Sequence, residues 1–169
     1  MAGATSAGGR LGLGLGWAIF ALLADQAHKL YMLEVFDIAD RGRVTLTPFL
    51  DLVFVLNPGI SYGLFEQSSK TGQLLLAAFS VLVAILLLVW LSRATTAMKA
   101  VAIGLLIGGA LGNAIDRVRL GGVADFFLLH AFDFNWYVFN IADVAIVAGV
   151  LLLLYDSLWT SRQSAAKTT

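Results

Sequence analysis

The sequence predicts a membrane protein of the all-α class with a small β element, in which four transmembrane helices are joined by a short surface sheet and a further surface segment. Three observations indicate this fold class. Of 169 residues, 59% are hydrophobic and only 13% are charged, and the mean hydropathy is +0.86. Four apolar segments can span a bilayer, and one connector is rich in β-branched residues. Such a chain has too little polar surface to cover a soluble globule, so we expect residues 1–169 to form a single polytopic membrane domain.

The four predicted spans rest on uncharged runs. Leu74 to Leu91 is an uninterrupted run of 18 residues without a charge, which with its flanks crosses a hydrocarbon core of about 30 Å. The other three runs are shorter, and each needs polar residues at one end to complete a span. We predict spans at roughly residues 11–33, 71–92, 97–117 and 138–159.

The two longer connectors, residues 34–70 and 118–137, differ in composition from the membrane spans. Within residues 34–70, the run from Val44 to Leu56 is rich in β-branched and aromatic residues and ends in the turn-forming Asn57-Pro58-Gly59. This pattern predicts a short sheet at the membrane surface. Residues 118–137 contain Gly121-Gly122 and an aromatic patch, which predict an interfacial loop or a short surface helix.

Composition also excludes several kinds of site. The chain has no cysteine, so it has no disulfide, no thiolate nucleophile and no thiolate metal site. Its two histidines, His28 and His130, cannot form an all-histidine metal site, and we interpret both as interfacial residues without an assigned role. The formal net charge is zero, which argues against a nucleic-acid partner.

Two aspartates carry the functional signal. Asp125 and Asp143 lie beside or at the end of apolar stretches, where a charged side chain costs a few kcal/mol or more. An ionisable residue at membrane depth is therefore a functional hypothesis. The residues alone leave three alternatives open, namely acid/base catalysis by the pair, proton or ion transport, and a buried structural role.

Helix lengths predict where the acidic residues meet. At about 1.5 Å per helical residue, Asp25 lies about 22 Å from Arg10, Asp116 about 26 Å from Lys99, and Asp143 about 28 Å from Arg162. If the spans alternate in direction, these carboxylates reach one face of the membrane, opposite the basic ends. The connectors bring Asn57, Arg117 and Asp125 to the same face. We expect both termini on the opposite, cytoplasmic side.

Local spacing places the polar side chains on shared helix faces. Asn113, Asp116 and Arg117 follow one another at helical spacing, as do Asn140 and Asp143, and as do Asp25 and Lys29. For Asp25 and Lys29 a structural ion pair is favoured over chemistry, whereas Asp116 and Arg117 suit structure and substrate contact equally. The glycines at 108, 109 and 112 permit close approach of a neighbouring helix.

These residues resemble a known family, the bacterial lipoprotein signal peptidases or signal peptidase II. The resemblance covers roughly residues 16–159, and two small departures are Tyr62 and Ala124, neither of which alters a carboxylate. It is carried by five blocks in order: Asp25-Gln26-Ala27-His28-Lys29, Asn57-Pro58-Gly59-Ile60-Ser61-Tyr62-Gly63, Gly108-Gly109-Ala110-Leu111-Gly112-Asn113-Ala114-Ile115-Asp116-Arg117, Val123-Ala124-Asp125-Phe126 and Phe139-Asn140-Ile141-Ala142-Asp143.

The resemblance implies a membrane aspartic endopeptidase of the bacterial cytoplasmic (inner) membrane. Its substrates would be prolipoproteins cleaved just before a diacylglyceryl-modified lipobox cysteine, near the periplasmic face. It implies no metal, no cofactor and a monomer in contact with membrane lipid. The implied roles are catalysis for Asp125 and Asp143, substrate binding or support of the pair for Asn57, Asn113, Arg117 and Asn140, and structural support for Asp25, Lys29, Asp116 and Gly109.

Two other classes of protein remain as alternatives. A proton-coupled transporter or channel component would also place carboxylates within the membrane, although four spans are few for a carrier. An assembly factor with buried structural carboxylates would have no turnover at all. An assay with a lipidated precursor peptide separates all three.

Overall fold

The computed structural model describes residues 6–59, 67, 69–132 and 134–166, with side chains described up to residue 159. Four helical segments within these residues are long and apolar enough to cross a membrane: Ala7–Val35, Lys70–Leu91, Ala97–Leu120 and Ile141–Trp159. The chain is therefore a multi-pass membrane protein, as its composition predicts.

The elements follow one another in a simple order. The first helix continues into one stretch of π-helix at Tyr31–Val35, a short helix then leads into a sheet, and the last two strands of that sheet come after the fourth helix. The bounds are α1 Ala7–Leu30, α2 Ile38–Arg41, β1 Val44–Thr47, β2 Leu50–Asn57, α3 Lys70–Leu91, α4 Ala97–Leu120, β3 Val123–Ala131, β4 Phe134–Phe139 and α5 Ile141–Ala166.

Helix α4 forms the centre of the bundle. Helices α1, α3 and α5 all pack against it. In the most apolar 18-residue stretch of α4, 56% of the residues are buried, against 17–22% in the corresponding stretches of the other three spans. Small residues make this packing possible. A Cβ at Gly104 would collide with the backbone of Gly14, so the glycine allows α1 and α4 to approach closely.

A four-stranded antiparallel sheet in the order β1-β2-β3-β4 closes one end of the bundle. We call this the sheet end. Strand β2 pairs with β3 such that Asn57 lies opposite Val123 and Val55 opposite Asp125. An apolar core that includes Met32, Ile38 and Phe126 packs the sheet onto the π-helical stretch and onto α2.

The structure differs from the sequence-based expectation in residues 118–137. A loop or short helix was expected there, but α4 continues to Leu120 and the hairpin β3–β4 follows. The aromatic residues that suggested an interfacial belt are also strong strand formers, and β2 offers them an edge to pair with. That pairing joins residues far apart in the chain, which a local pattern does not reveal.

The opposite end of the bundle is held by basic side chains. Arg10 Nε donates to the carbonyl of Ala94 at 2.7 Å, and Lys99 Nζ lies 3.9 Å from a carboxylate oxygen of Asp156. Thr96 donates its hydroxyl to the other oxygen of Asp156 at 2.6 Å. These contacts tie the α3–α4 connector to α1 and α5.

Candidate active site

Asp125 and Asp143 meet in one cavity at the sheet end. Asp125 lies near the start of β3, and Asp143 lies in the first turn of α5. Both line a cavity of about 200 Å³ formed by residues of α3, α4 and α5 and of the strands β2, β3 and β4. The remaining lining residues are Asn57, Gly59, Phe79, Ser80, Val83, Ala110, Asn113, Arg117, Val123, Tyr137 and Ile146.

Asp125 is buried and receives hydrogen bonds on both carboxylate oxygens. Asn140 Nδ2 donates to Oδ1 at 2.6 Å, and Asn57 Nδ2 donates to Oδ2 at 3.2 Å. Burial, followed by the negative charge of Asp143, raises the pKa of Asp125 to about 7, and the two amide hydrogen bonds and Lys29 partly oppose this rise. Asp125 is therefore poised to exchange a proton near neutral pH.

Asp143 is half-buried and forms part of the cap of α5. Its backbone N–H donates to Asn140 Oδ1 at 2.9 Å, while its carboxylate accepts the backbone N–H of Asn140 at 3.3 Å. This reciprocal arrangement is a capping box, and the helix N-terminus favours a negative charge at this position. Asn113 Nδ2 also donates to Asp143, at 3.0 Å.

Asn113 and Asn140 connect the two aspartates. Asn140 Nδ2 donates to Asn113 Oδ1 at 3.2 Å as well as to Asp125, and Asn113 in turn donates to Asp143. The four side chains thus form one hydrogen-bonded network that fixes the direction of each amide. The predicted grouping of these polar residues at one end of the bundle is what the structure has.

A buried cluster of charged side chains contacts this network through Asn113. Lys29 Nζ lies 2.8 Å from Asp25 and 2.5 Å from Asp116, and it also donates to Asn113 Oδ1 at 3.3 Å. All three charged residues are at most 3% exposed, so the ammonium and the carboxylates compensate one another away from water. Gln26, which sequence reasoning left without a role, donates to both Asp25 and Asp116.

The two carboxylates of this cluster also hold the backbone beside the aspartate pair. Asp25 Oδ1 accepts the backbone N–H of Ala142 at 2.9 Å, and Asp116 Oδ2 accepts that of Ala124 at 3.2 Å. Each acceptor therefore fixes the residue directly before Asp143 or Asp125. A supporting role for Asp25, Lys29 and Asp116 stays a prediction, and these contacts are the geometry on which it rests.

Arg117 joins the cavity wall to the end of β2. Its Nη1 donates to the carbonyl of Asn113 and its Nη2 to the carbonyl of Gly59, each at 3.0 Å. The guanidinium Nε is buried and has no hydrogen-bond partner among the described residues. The side chain thus serves the local structure while it lines the cavity.

Gly109 sets the distance between α4 and α5. A Cβ at this position would lie 2.5 Å from the carbonyl oxygen of Ala142 and 2.7 Å from Cγ1 of Ile146. The glycine therefore lets the first turn of α5, with Asp143, approach Asn113 on α4.

The histidines lie outside the aspartate network. The His28 ring stacks on the ring of Phe127, with the two ring centroids 5.0 Å apart. His130 Nε2 lies 3.0 Å from a carboxylate oxygen of Asp51, a buried residue of β2 that also pairs with Arg43. Among the described residues, no three histidine, cysteine or acidic side chains are grouped closely enough to hold a metal ion.

Comparison with known proteins places this geometry in a family. A family model described as signal peptidase (SPase) II matches residues 17–159. A lipoprotein signal peptidase of Beijerinckia indica is 51% identical over 147 residues, which is 87% of each chain. One of Nitrobacter hamburgensis is 53% identical over 144 residues, covering 83% of this chain and 88% of that one.

Solved structures share this fold. A bacterial membrane enzyme determined by the in meso method at 2.3 Å superposes with a TM-score of 0.75 and 29% identity, covering 89% of this chain and 90% of that one. Another, at 1.9 Å, has a TM-score of 0.71 and 31% identity over 87% and 93% of the two chains. The chain therefore belongs to the signal peptidase II family.

Proposed function

We propose that this chain removes the signal peptide from diacylglyceryl-modified prolipoproteins, with Asp125 and Asp143 as its catalytic pair. The observation that supports the assignment of the pair is their shared cavity, in which Asn113 and Asn140 link them by hydrogen bonds. Two carboxylates that interact at close range do not ionise independently, so they hold one proton between them.

The environments of the two aspartates assign them different roles. Asp125 is buried and largely protonated below about pH 7, so it donates a hydrogen bond to the scissile carbonyl oxygen. Asp143 lies in the first turn of α5 and accepts two N–H groups, and we assign it the role of general base.

The proton balance of the reaction follows from these roles. Asp143 takes a proton from a water molecule as the water oxygen attacks the scissile carbonyl carbon, and Asp125 passes its proton to the carbonyl oxygen. The resulting tetrahedral diol collapses when Asp143 returns its proton to the departing amide nitrogen and Asp125 regains one from the diol. The C–N bond breaks, and the pair ends in its starting protonation state.

We place the cavity near the periplasmic face of the bacterial inner membrane, with both termini in the cytoplasm and the chain acting as a monomer. The support is the position of the cavity at the sheet end, opposite the cluster of Arg10, Lys99 and Asp156. At that depth the diacylglyceryl chains of a substrate would lie in the bilayer and hold the scissile bond beside the aspartates.

The test is cleavage of a lipidated precursor peptide by the purified protein in detergent. Asp125→Asn and Asp143→Asn should each lower the rate by at least about 10²-fold, because an amide keeps the shape but cannot cycle a proton. The double variant should be little worse than either single one, as expected for groups that act as a unit. An unlipidated peptide should be cut very poorly.

A matched control is Asp156→Asn, which also changes a buried carboxylate but at the opposite end of the bundle. It should retain turnover. Near-normal cleavage by Asp125→Asn or Asp143→Asn, with the chromosomal enzyme excluded, would contradict the aspartic mechanism. A protein without turnover on any lipidated peptide would favour the transporter or assembly-factor alternatives.

A further inference from the structure

A buried glutamine clamps the backbone next to the cavity. Gln73 lies in the second turn of α3, and its side chain is only 2% exposed. Its Nε2 donates to the carbonyl oxygens of Pro58 and Gln67, both at 2.6 Å. The single amide group thus uses both of its N–H bonds to hold together two residues that are nine positions apart in the chain.

Two further contacts complete this clamp. The backbone N–H of Gln67 donates to Pro58 O at 3.1 Å. The side chain of Gln67 packs against Gly72, where an added Cβ would lie 2.7 Å from Cβ of Gln67. The start of α3, capped by Ser69, is therefore shaped to receive Gln67 and Pro58 side by side.

The clamp is linked to Asp125 through the neighbouring residue Asn57. Pro58 lies between Asn57 and Gly59, and Gly59 N donates to Asn57 Oδ1 at 3.0 Å. This bond directs the other end of the Asn57 amide toward Asp125, to which Nδ2 donates at 3.2 Å. A shift of Pro58 would therefore change the direction of the Asn57 amide.

We infer that Gln73 is a positioning residue for peptide-bond cleavage, which holds Pro58 so that Asn57 donates its hydrogen bond to Asp125. The inference rests on the proposed role of Asp125. Gln73 is not among the residues that line the cavity, so it acts through Asn57 rather than on the substrate.

The principal variant is Gln73→Leu, which keeps a similar volume and removes both hydrogen bonds. We expect kcat to fall by about 10-fold, with KM nearly unchanged, because the loss concerns the orientation of one hydrogen bond to a reacting carboxyl group. The exposed Thr71 lies in the same part of α3, and Thr71→Ala should leave both constants unchanged.

A second readout separates positioning from general loss of structure. The Asn57 hydrogen bond favours the ionised form of Asp125, so its loss should raise the pKa of Asp125 and move the alkaline limb of the pH profile to higher pH. The charged groups that act on Asp125 from other elements, Asp143, Lys29 and Arg117, are unchanged in Gln73→Leu. Asn57→Ala should shift the limb in the same direction.

The double variant completes a thermodynamic cycle. Gln73→Leu should add almost nothing to Asn57→Ala if both act through the same hydrogen bond. The inference would be overturned if the rate fell while the alkaline limb of the pH profile stayed in place, or if the effects of the two substitutions on the activation free energy were fully additive. If Gln73→Leu does not fold, Gly72→Ala displaces Gln67 from the same clamp, and a shift of the limb in the same direction is expected, whereas an unmoved limb counts against the inference.

A readout without turnover keeps this inference separate from the proposed function. Carbodiimides modify protonated carboxyl groups, so the pH at which Asp125 ceases to react follows its titration directly. Gln73→Leu should move that pH upward even if Asp125 were not catalytic, and an unmoved value would overturn the positioning role. Loss of the proposed function alone would instead appear as turnover retained by Asp125→Asn.

Discussion

Asn140 performs two tasks with one amide group. Its Oδ1 caps α5 by accepting the backbone N–H of Asp143, and its Nδ2 donates to Asp125 and Asn113. The start of a transmembrane helix and the alignment of the aspartate pair therefore depend on the same side chain, which can be tested by separating the two tasks.

Asn140→Ser should separate the cap from the hydrogen bond to Asp125. Serine is a good N-cap and alanine is not, so the free energy of unfolding of Asn140→Ser should exceed that of Asn140→Ala by about 1 kcal/mol, while both variants should be less stable than the parent protein because they lose the buried Nδ2 hydrogen bonds. Both variants lack the amide donor and should lose activity to a similar extent. Thermal unfolding and peptide cleavage measure the two effects, and retained activity in Asn140→Ser would contradict the role in aligning the pair.

The raised pKa of Asp125 predicts two effects of pH. Because the folded-state pKa is about 7 rather than 3.8, the folded protein holds this proton more tightly than the unfolded chain does. The stability that Asp125 provides is therefore complete below about pH 4 and is lost as pH rises toward about 7. Activity should fall above about pH 7 as the shared proton is lost, with apparent pKa values that belong to the pair.

Asp125→Asn lacks this titration and supplies the test of the stability effect. The melting temperature of the variant minus that of the parent protein should increase as pH rises from about 4 to about 7, when both are measured in one detergent at constant ionic strength. A temperature difference that stays constant over this window would show that Asp125 titrates with an ordinary pKa in the folded protein.

The close approach of α5 to α4 positions Asp143. Gly109→Ala would introduce a Cβ within 2.5 Å of the carbonyl of Ala142, so the two helices must separate. We expect a loss of about 1–3 kcal/mol in stability and a larger fractional loss in activity, because Asn113 and Asp143 move apart. Thermal unfolding and cleavage rates report the two losses.

Gly16→Ala is the matched control for this helix contact. Gly16 also lies within a transmembrane helix, but a Cβ there would meet no atom within 4 Å. Alanine favours a helix over glycine by about 1 kcal/mol, so this variant should be as stable as the parent protein or slightly more stable. Equal damage from both substitutions would mean that close packing at Gly109 is not what matters.

Elements with a local signal were predictable, whereas long-range pairings were not. Apolar runs and helical rise sufficed to predict four spans and the meeting of Asp25, Asp116 and Asp143 at one end of the bundle. The hairpin β3–β4 was missed because its strands are specified by the edge of β2, more than 60 residues earlier in the chain. Gln26 and Gln73 carried no signal, because a neutral amide near a helix end is common and their partners are distant in sequence.

The position of the cavity at one end of the bundle predicts an asymmetric labelling pattern. Since the chain contains no cysteine, single cysteines can be introduced at will. Cysteines at Asn135 on β4 and at Ser61, which lies outside the described residues, should react with an impermeant reagent from the periplasmic side. A cysteine at Thr95, an exposed residue at the opposite end, should react only after permeabilisation. Labelling of all three from one side would rule out the proposed orientation.

The cavity lies between α3 and α5, which each pack on α4 and make few contacts with one another. A substrate anchored by its acyl chains would reach a cleft between these two helices by diffusing within the plane of the bilayer. The rate of cleavage would then depend on the mole fraction of substrate among lipid or detergent molecules rather than on the substrate concentration in the bulk solution. Added detergent at constant substrate should slow cleavage by surface dilution, and inhibitors should compete according to their partitioning into the bilayer.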